Sequence, residues 1–182
     1  PSDALSNRCA VLMASSADNR KDKWQKAVTA IWQSESKLPK PCLLAIDALN
    51  TLTPLNASQN WQRFDYLLAN DSNEFSELRD RFTGTDKLLF NQYVAFISSA
   101  KAPAQTWPNS ERTRLVLTKG LVAQAKRDTS QAENLLALYA KDYSLSLEQK
   151  AAVQSEIALW SMVNYQDTAE ARYFAVPEKQ RS

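Results

Sequence analysis

The chain has 182 residues, of which 44% are hydrophobic and 23% charged, and this composition is typical of a globular protein rather than a disordered one. The formal net charge is +2 and the basic and acidic side chains are interspersed, so no basic stripe predicts nucleic-acid binding, and no apolar run approaches the roughly 20 residues of a membrane span. Only two glycines, Gly84 and Gly120, occur among many helix-forming residues, which disfavours tightly turned sheets and predicts an all-α chain.

Helical periodicity begins in the first half of the chain. Residues 21–33 place large apolar side chains at i, i+4, i+7 and i+8, the pattern of an amphipathic helix. These side chains are Trp24, Val28, Ile31 and Trp32. A second helix is predicted at 43–52, after Pro41, which suits a first helical turn. Apolar stripes predict further helices at 61–68, 75–82 and 88–97, and we expect the last of these to be buried on most sides.

The helical pattern is interrupted near the middle of the chain. Pro103 and Pro108 predict a break around Trp107. After the break, Ser110 is a predicted N-cap, and Pro177 is predicted to follow the end of the last helix.

Three later helices begin with a predicted capping box, in which two side chains three residues apart satisfy free backbone donors. The pairs are Ser130 with Glu133, Ser146 with Gln149, and Asp167 with Glu170. The whole chain then contains about ten helices with short connections. Helices this short must stack on their neighbours, and no repeat of fixed period is present. We therefore predict one segment, residues 1–182, of an irregular right-handed α-superhelix made of short antiparallel helix pairs. A compact four-helix bundle is the alternative.

The sequence offers few residues for chemistry. It contains no histidine, which excludes Ser-His-Asp catalysis and His-ligated metals, and no glycine-rich phosphate loop. We predict no catalytic residue, no cofactor and no metal site in this chain. Acidic residues at helical spacing are predicted to form a solvated face rather than a general acid and base. They are Asp18 with Asp22, and Glu74, Glu77 and Asp80.

The five tryptophans are candidates for stacking against sugar rings. Four of them lie on apolar stripes and are predicted to pack in the core: Trp24, Trp32, Trp61 and Trp160. Trp107, in the proline-flanked break, is predicted to be exposed and is the candidate for glycan contact.

Cys9 and Cys42 are the only cysteines. Their spacing leaves two interpretations open, two unrelated buried thiols or one disulfide. A disulfide would stabilise the fold by roughly 3 to 4 kcal/mol through the entropy of loop closure. An oxidising compartment would favour it.

Three stretches of sequence occur in a characteristic order. In the first, a cysteine precedes a Trp-x-x-Ala helix, a second tryptophan, a turn with proline, and another cysteine. These residues are Cys9, Trp24 to Ala27, Trp32, Pro39 and Cys42; the later stretches are Leu145 to Gln149 with Ala158-Leu159-Trp160, and Glu170-Ala171-Arg172-Tyr173. The series resembles the superhelical region of the soluble lytic transglycosylases. Residues 52–107 match only in helical character, and Glu35 stands where the family pattern has a glycine.

The resemblance implies a parent enzyme with a ring-like or U-shaped helical superhelix and a C-terminal lysozyme-like domain. That domain cleaves the β-1,4 bond between N-acetylmuramic acid and N-acetylglucosamine with a single glutamic acid, and leaves a 1,6-anhydro end. Glu35-Ser36 matches the catalytic Glu-Ser of the family locally but lacks its accompanying motifs, so we do not assign it a catalytic role. The chain starts at Pro1 without an initiator Met and carries no lysozyme-like segment, and we expect it to be a fragment or a processed product.

The resemblance further implies a periplasmic location and a Cys9–Cys42 disulfide. The expected partners are peptidoglycan glycan strands, bound through the parent enzyme, and other cell-wall enzymes. Two alternatives stay open: a helical adaptor that binds peptides in a concave groove, and a helical-bundle subunit of an enzyme.

Overall fold

The computed structural model describes residues 2–14, 21–100 and 106–181, and all regular structure in these ranges is helical. The all-α prediction is therefore confirmed. The helices are α1 (Ser2–Ala14), α2 (Lys21–Ser34), α3 (Lys40–Leu52), α4 (Ala57–Ala69), α5 (Gly84–Ser99), α6 (Glu111–Ala125), α7 (Thr129–Asp142), α8 (Leu147–Val163) and α9 (Ala169–Ala175), with short 3₁₀ helices at Ser76–Leu78 and Glu178–Gln180. Asp18 and Pro103, which were named from the sequence, lie outside the described residues.

The chain divides into two compact units, residues 1–86 and residues 87–182. In the first unit, α1 packs on α3, and α2 packs on both α3 and α4. In the second unit, α6 packs on α7 and α8, and α8 packs in turn on α9. These helix pairs bury apolar residues within one unit, and α5 begins at the end of the first unit and continues into the second. The superhelix and the single-segment organisation stay predictions.

A disulfide between Cys9 and Cys42 ties α1 to the first turn of α3 in the first unit. Both cysteines are fully buried, and apolar side chains from three parts of the unit surround them. These side chains are Leu5, Leu12, Ile31 and Leu38. Because α1 packs on this small cluster, the disulfide contributes strongly to fixing the position of α1. The disulfide implied by the resemblance is confirmed.

The apolar stripe at 75–82 does not form the predicted α-helix. Phe75 and Leu78 are buried, but the backbone between them makes an i→i+3 bond, from Leu78 N to Phe75 O at 3.0 Å, within the short 3₁₀ helix. Residues three apart share one face of a 3₁₀ helix, so this stripe is buried without an α-helix. Phe75 contacts Phe64 of α4 at a ring-centroid distance of 5.0 Å, and Phe82 contacts Trp61 at 4.4 Å.

Two predicted helix starts are confirmed. The Ser110 side chain accepts a hydrogen bond from Thr113 N at 3.2 Å, and Ser146 forms a capping box with Gln149. A third capping box, formed by Asn56 and Gln59 at the start of α4, was not predicted from the sequence.

The other two predicted capping boxes are wrong. Helix α7 begins two residues earlier than expected, because Asp128 accepts a hydrogen bond from Gln131 N at 2.9 Å and occupies the N-cap in place of Ser130. Helix α9 has Thr168 as its N-cap and no side-chain cap, so the Asp167–Glu170 box does not form.

The prediction that the helix at 88–97 is buried on most sides is also wrong, since Leu88 on α5 is 61% exposed. One face of α5 carries the buried residues, which are Phe90, Tyr93, Phe96 and Ile97.

Gly120 allows α6 to lie directly against Phe96 of α5. A Cβ atom at Gly120 would be 2.4 Å from Cδ1 of the Phe96 ring and 3.0 Å from the Phe96 carbonyl oxygen. The distance to the ring is well inside van der Waals contact, and the distance to the carbonyl oxygen is tight. The absence of a side chain at this position is therefore a packing requirement.

Breaking the disulfide is expected to lower the free energy of unfolding of the first unit by about 3 to 4 kcal/mol, because the reduced, unfolded chain regains the entropy that the 33-residue separation restricts. Urea unfolding followed by tryptophan fluorescence, with and without reductant, measures this change. The Cys9→Ser/Cys42→Ser variant is the control and should not respond to reductant. Equal midpoints for the oxidised and reduced protein would contradict the prediction.

Gly120→Ala is expected to lower the melting temperature. Alanine favours a helix by about 1 kcal/mol over glycine, but the overlap with Phe96 is expected to cost more, at about 1 to 3 kcal/mol for overpacking. Thermal unfolding followed by circular dichroism decides between the two effects. In a Phe96→Leu background the same substitution should cost less, and a melting temperature equal to or above that of the wild type would show that the close approach is unimportant.

Candidate functional site

Trp107, the residue predicted to contact glycan, is buried, with only 3% of its surface exposed. The prediction of exposure is therefore wrong. Its ring packs edge-on against Tyr93 at 4.9 Å and against Phe96 at 5.3 Å. Its indole Nε1 donates to Gln92 Oε1 at 2.7 Å, and its backbone N donates to Tyr143 Oη at 3.1 Å. Packing against the aromatic side chains of α5 therefore buries this loop residue in the core of the second unit.

Trp160 is the tryptophan that keeps part of its surface exposed. Trp24, Trp32 and Trp61 are buried as predicted, whereas Trp160 on α8 is half-buried. Its indole Nε1 donates to Glu156 Oε2 at 3.0 Å, one turn earlier on the helix. Trp160 is thus the tryptophan best placed to stack on an external ligand.

The ring of Trp32 contacts two arginines in the first unit. The guanidinium carbon of Arg63 is 5.1 Å from the ring centroid of Trp32, and that of Arg81 is 4.8 Å from it. A cation over an indole face is attracted by the ring quadrupole, more strongly where water is excluded. Trp32 and Arg63 are both fully buried.

Arg63 is compensated by acceptors from two other segments. Its Nε and Nη2 donate to Glu77 Oε1 at 2.9 and 2.5 Å, and its Nη1 donates to the carbonyl of Glu35. The side chain of Glu77 is only 16% exposed, so the prediction that it belongs to a solvated face is wrong. The physical reason is the buried guanidinium, which draws the carboxylate inward. Glu74 and Asp80 are exposed, as expected, and so is Asp22.

A polar groove of about 390 Å³ lies beside this cluster. Its lining residues come from α3 and from the segment that contains the first 3₁₀ helix. They are Leu43, Asp47, Asn50, Ser76, Glu77, Asp80 and Arg81. Arg81 Nη2 donates to Asp47 Oδ1 at 2.6 Å, so one cation and several acceptors line the groove. We call it the α3 groove; its carboxylate, amide and hydroxyl groups suit a ligand rich in hydroxyl and amide groups.

Glu35 and two buried tyrosines take part in contacts within the chain. Glu35 lies in the turn after α2, where its backbone carbonyl bonds Arg63. Within 2–14, 21–100 and 106–181, no group of three or more His, Cys, Asp or Glu side chains could hold a metal ion. Burial raises the pKa of Tyr93 and of Tyr139 above the ordinary value of 10.0. Tyr93 Oη and Thr113 Oγ1 share a buried hydrogen bond of 2.6 Å, which is a packing role.

No described helix combines the length and the apolar character needed to cross a membrane. No protein-family model, curated protein or solved structure is significantly similar to the chain. The resemblance to lytic transglycosylases therefore stays a prediction that rests on the residues quoted for it.

Arg63→Met is expected to lower the free energy of unfolding by about 3 to 5 kcal/mol, because it leaves the Glu77 carboxylate and the Glu35 carbonyl without their donor in a water-poor site. Lys37→Met is the matched control in the same unit, since Lys37 pairs with Glu74 at 3.9 Å on the surface, and its effect should stay within about 0.5 kcal/mol.

Chemical denaturation of both variants and of Arg63→Met/Glu77→Gln tests this expectation. The double variant should recover part of the loss, because it removes the unpaired charge. Equal losses in the free energy of unfolding for Arg63→Met and Lys37→Met would show that the buried Arg63 contacts stabilise the fold no more than a surface ion pair does.

Proposed function

We propose that this chain is a non-catalytic part of the helical scaffold of a peptidoglycan lytic transglycosylase. In this role it encloses glycan strands and positions them for a lysozyme-like domain elsewhere in the parent enzyme. The observation that carries the proposal is the Cys9–Cys42 disulfide within an all-helical chain.

The disulfide supports the proposal because both cysteines belong to the first stretch that resembles the family. Other residues of that stretch pack in the same unit: Trp24 Nε1 donates to Leu12 O of α1 at 2.7 Å, and Pro39 is the N-cap of α3. A disulfide also persists in oxidising compartments such as the periplasm. The residues of this stretch thus pack together in one unit, as is expected if they form a family pattern.

The second and third stretches are neighbours in the second unit. Ser146 and Gln149 cap α8, and Arg172 on α9 is bonded to both α7 and α8. Arg172 Nη2 donates to Glu133 Oε2 at 2.8 Å, and its Nη1 donates to Ser161 Oγ at 2.9 Å. The Glu-Ala-Arg-Tyr pattern therefore places its arginine where it joins three helices, which gives the pattern a structural reason.

Two features suit a glycan strand with peptide stems. The α3 groove presents acceptors and the Arg81 guanidinium to hydroxyl and amide groups. The half-buried indole of Trp160 offers an apolar face for a sugar ring. Neither feature cleaves a bond, so the proposal assigns binding to this chain and catalysis to another domain.

A helical adaptor that binds peptides is the second candidate. The observation in its favour is a row of exposed apolar side chains along α8, where Leu159 is 46%, Met162 44% and Val163 51% exposed. Such a row suits the apolar face of a partner peptide.

Co-sedimentation of the whole chain with insoluble peptidoglycan tests the proposal. We expect the chain to sediment with peptidoglycan and not with chitin, which lacks peptide stems, and we expect no 1,6-anhydro products in the supernatant by mass spectrometry. Sedimentation no greater than with chitin would remove the support for a cell-wall scaffold and favour the adaptor. Release of 1,6-anhydro products by the chain alone would contradict its non-catalytic role.

The contribution of Trp160 is measured in the same assay. Trp160→Leu keeps an apolar side chain but removes the aromatic face, and it should lower the bound fraction several-fold. Tyr165→Leu is the matched control, because Tyr165 is 93% exposed. Removing its ring should lower the bound fraction only if exposed aromatic side chains bind peptidoglycan nonspecifically. Equal losses for both variants would contradict a specific role for Trp160.

A further inference from the structure

A small cavity lies between α8 and the segment formed by α9 and the last 3₁₀ helix. Its volume is about 180 Å³. Its apolar wall contains Ala158, Leu159, Met162 and Val176, and the ring of Tyr173 also lines it. An apolar cavity of roughly 150 Å³ is large enough to bind benzene. The cavity therefore has room for one aliphatic or aromatic side chain, and it is too small for a glycan strand.

One rim of the cavity carries a fixed cation. Arg181 Nε donates to the Val176 carbonyl at 2.7 Å, and its Nη2 donates to the Phe174 carbonyl at 2.8 Å. The guanidinium carbon also lies 5.7 Å from the ring centroid of Tyr173. These contacts hold the group in place but leave it with further N–H donors and with its full charge. Among the described residues, no carboxylate forms an ion pair with Arg181.

The lining also includes an anion. Glu156 Oε2 accepts from Trp160 Nε1 at 3.0 Å, which orients the carboxylate. Two carboxylate oxygens accept more hydrogen bonds than this one, so the group retains acceptor capacity for an N–H of a ligand. The cavity thus combines an apolar wall, a guanidinium and a carboxylate.

We propose that this cavity binds the C-terminal residue of a peptide. The apolar side chain of that residue lies against Leu159 and Met162, its terminal carboxylate pairs with Arg181, and its amide N–H donates to Glu156. An internal residue of a polypeptide has no free carboxylate, so Arg181 selects a chain end. A guanidinium–carboxylate pair with additional hydrogen bonds is among the stronger polar contacts available to a small ligand. This binding site does not depend on the proposed cell-wall function.

The exposed surface beside the cavity is consistent with such a ligand. Leu159, Met162 and Phe174 are 46%, 44% and 58% exposed, so an apolar side chain that covers them removes apolar surface from water. Charge complementarity then decides the orientation of the ligand, with its carboxylate toward Arg181 and its N–H toward Glu156.

Titration of the isotope-labelled chain, followed by NMR chemical shifts, tests the site with three small probes. N-acetyl-leucine carries both the side chain and the carboxylate, N-acetyl-leucinamide lacks the carboxylate, and N-acetylglycine lacks the side chain. We expect N-acetyl-leucine to shift the resonances of Leu159, Met162 and Tyr173 at millimolar concentration, and to bind roughly tenfold more tightly than either other probe. No shifts with N-acetyl-leucine, or equal affinity for it and its amide, would overturn the proposal.

Arg181→Gln separates charge recognition from apolar contact. It should weaken N-acetyl-leucine roughly tenfold and leave N-acetyl-leucinamide unchanged. Lys179→Gln is the matched control, since it removes the same charge from the same segment at a residue that does not line the cavity, and it should bind N-acetyl-leucine like the wild type. Equal effects of the two variants would show that only the overall positive charge matters, and would overturn the proposed site. Sedimentation that depends on protein concentration and is abolished by N-acetyl-leucinamide would assign the cavity to a second copy of the chain instead.

Discussion

The stability of this chain depends on burying apolar side chains between helices that are too short to persist alone. Among the described helices, α8 has 17 residues and α1 has 13. Isolated helices shorter than about 12 to 15 residues are marginal in water, and most of the stability of a helix in a protein comes from tertiary packing. In the first unit this packing is reinforced by the Cys9–Cys42 disulfide, and in the second it is tightened by the close approach of α6 and Phe96 at Gly120.

A buried arginine, Arg63, and a largely buried one, Arg172, connect elements in the first and second units respectively. Arg63 joins α4 to Glu77, to the turn after α2 and to the ring of Trp32, whereas Arg172 joins α9 to α7 and α8. A buried cation is costly unless acceptors satisfy its donors, and in both cases several acceptors do so. The directional hydrogen bonds of each guanidinium thus link helices in addition to their apolar contacts.

Most of the aromatic surface is used in packing, which limits where the chain can bind other molecules. Trp24, Trp32, Trp61 and Trp107 are buried. The accessible features include a half-buried indole on α8, an apolar row on the same helix, and grooves lined by charged and amide groups. These features on α8 and beside α3 are the ones on which the proposed binding roles rest.

The sequence alone determined the helical class, most of the helix positions and the Ser110 and Ser146 caps, because periodicity and capping act over a few neighbouring residues. Asp128 and Ser130 are both suitable N-cap residues for α7, so the local sequence pattern does not decide between them. The observed start also depends on how α7 packs. The burial of Trp107 and the inward turn of Glu77 were decided by tertiary structure, because their partners, such as Tyr143 and Arg63, are distant in sequence. The cavity beside Arg181 likewise exists only because α9 folds back onto α8, a contact that no local sequence pattern encodes.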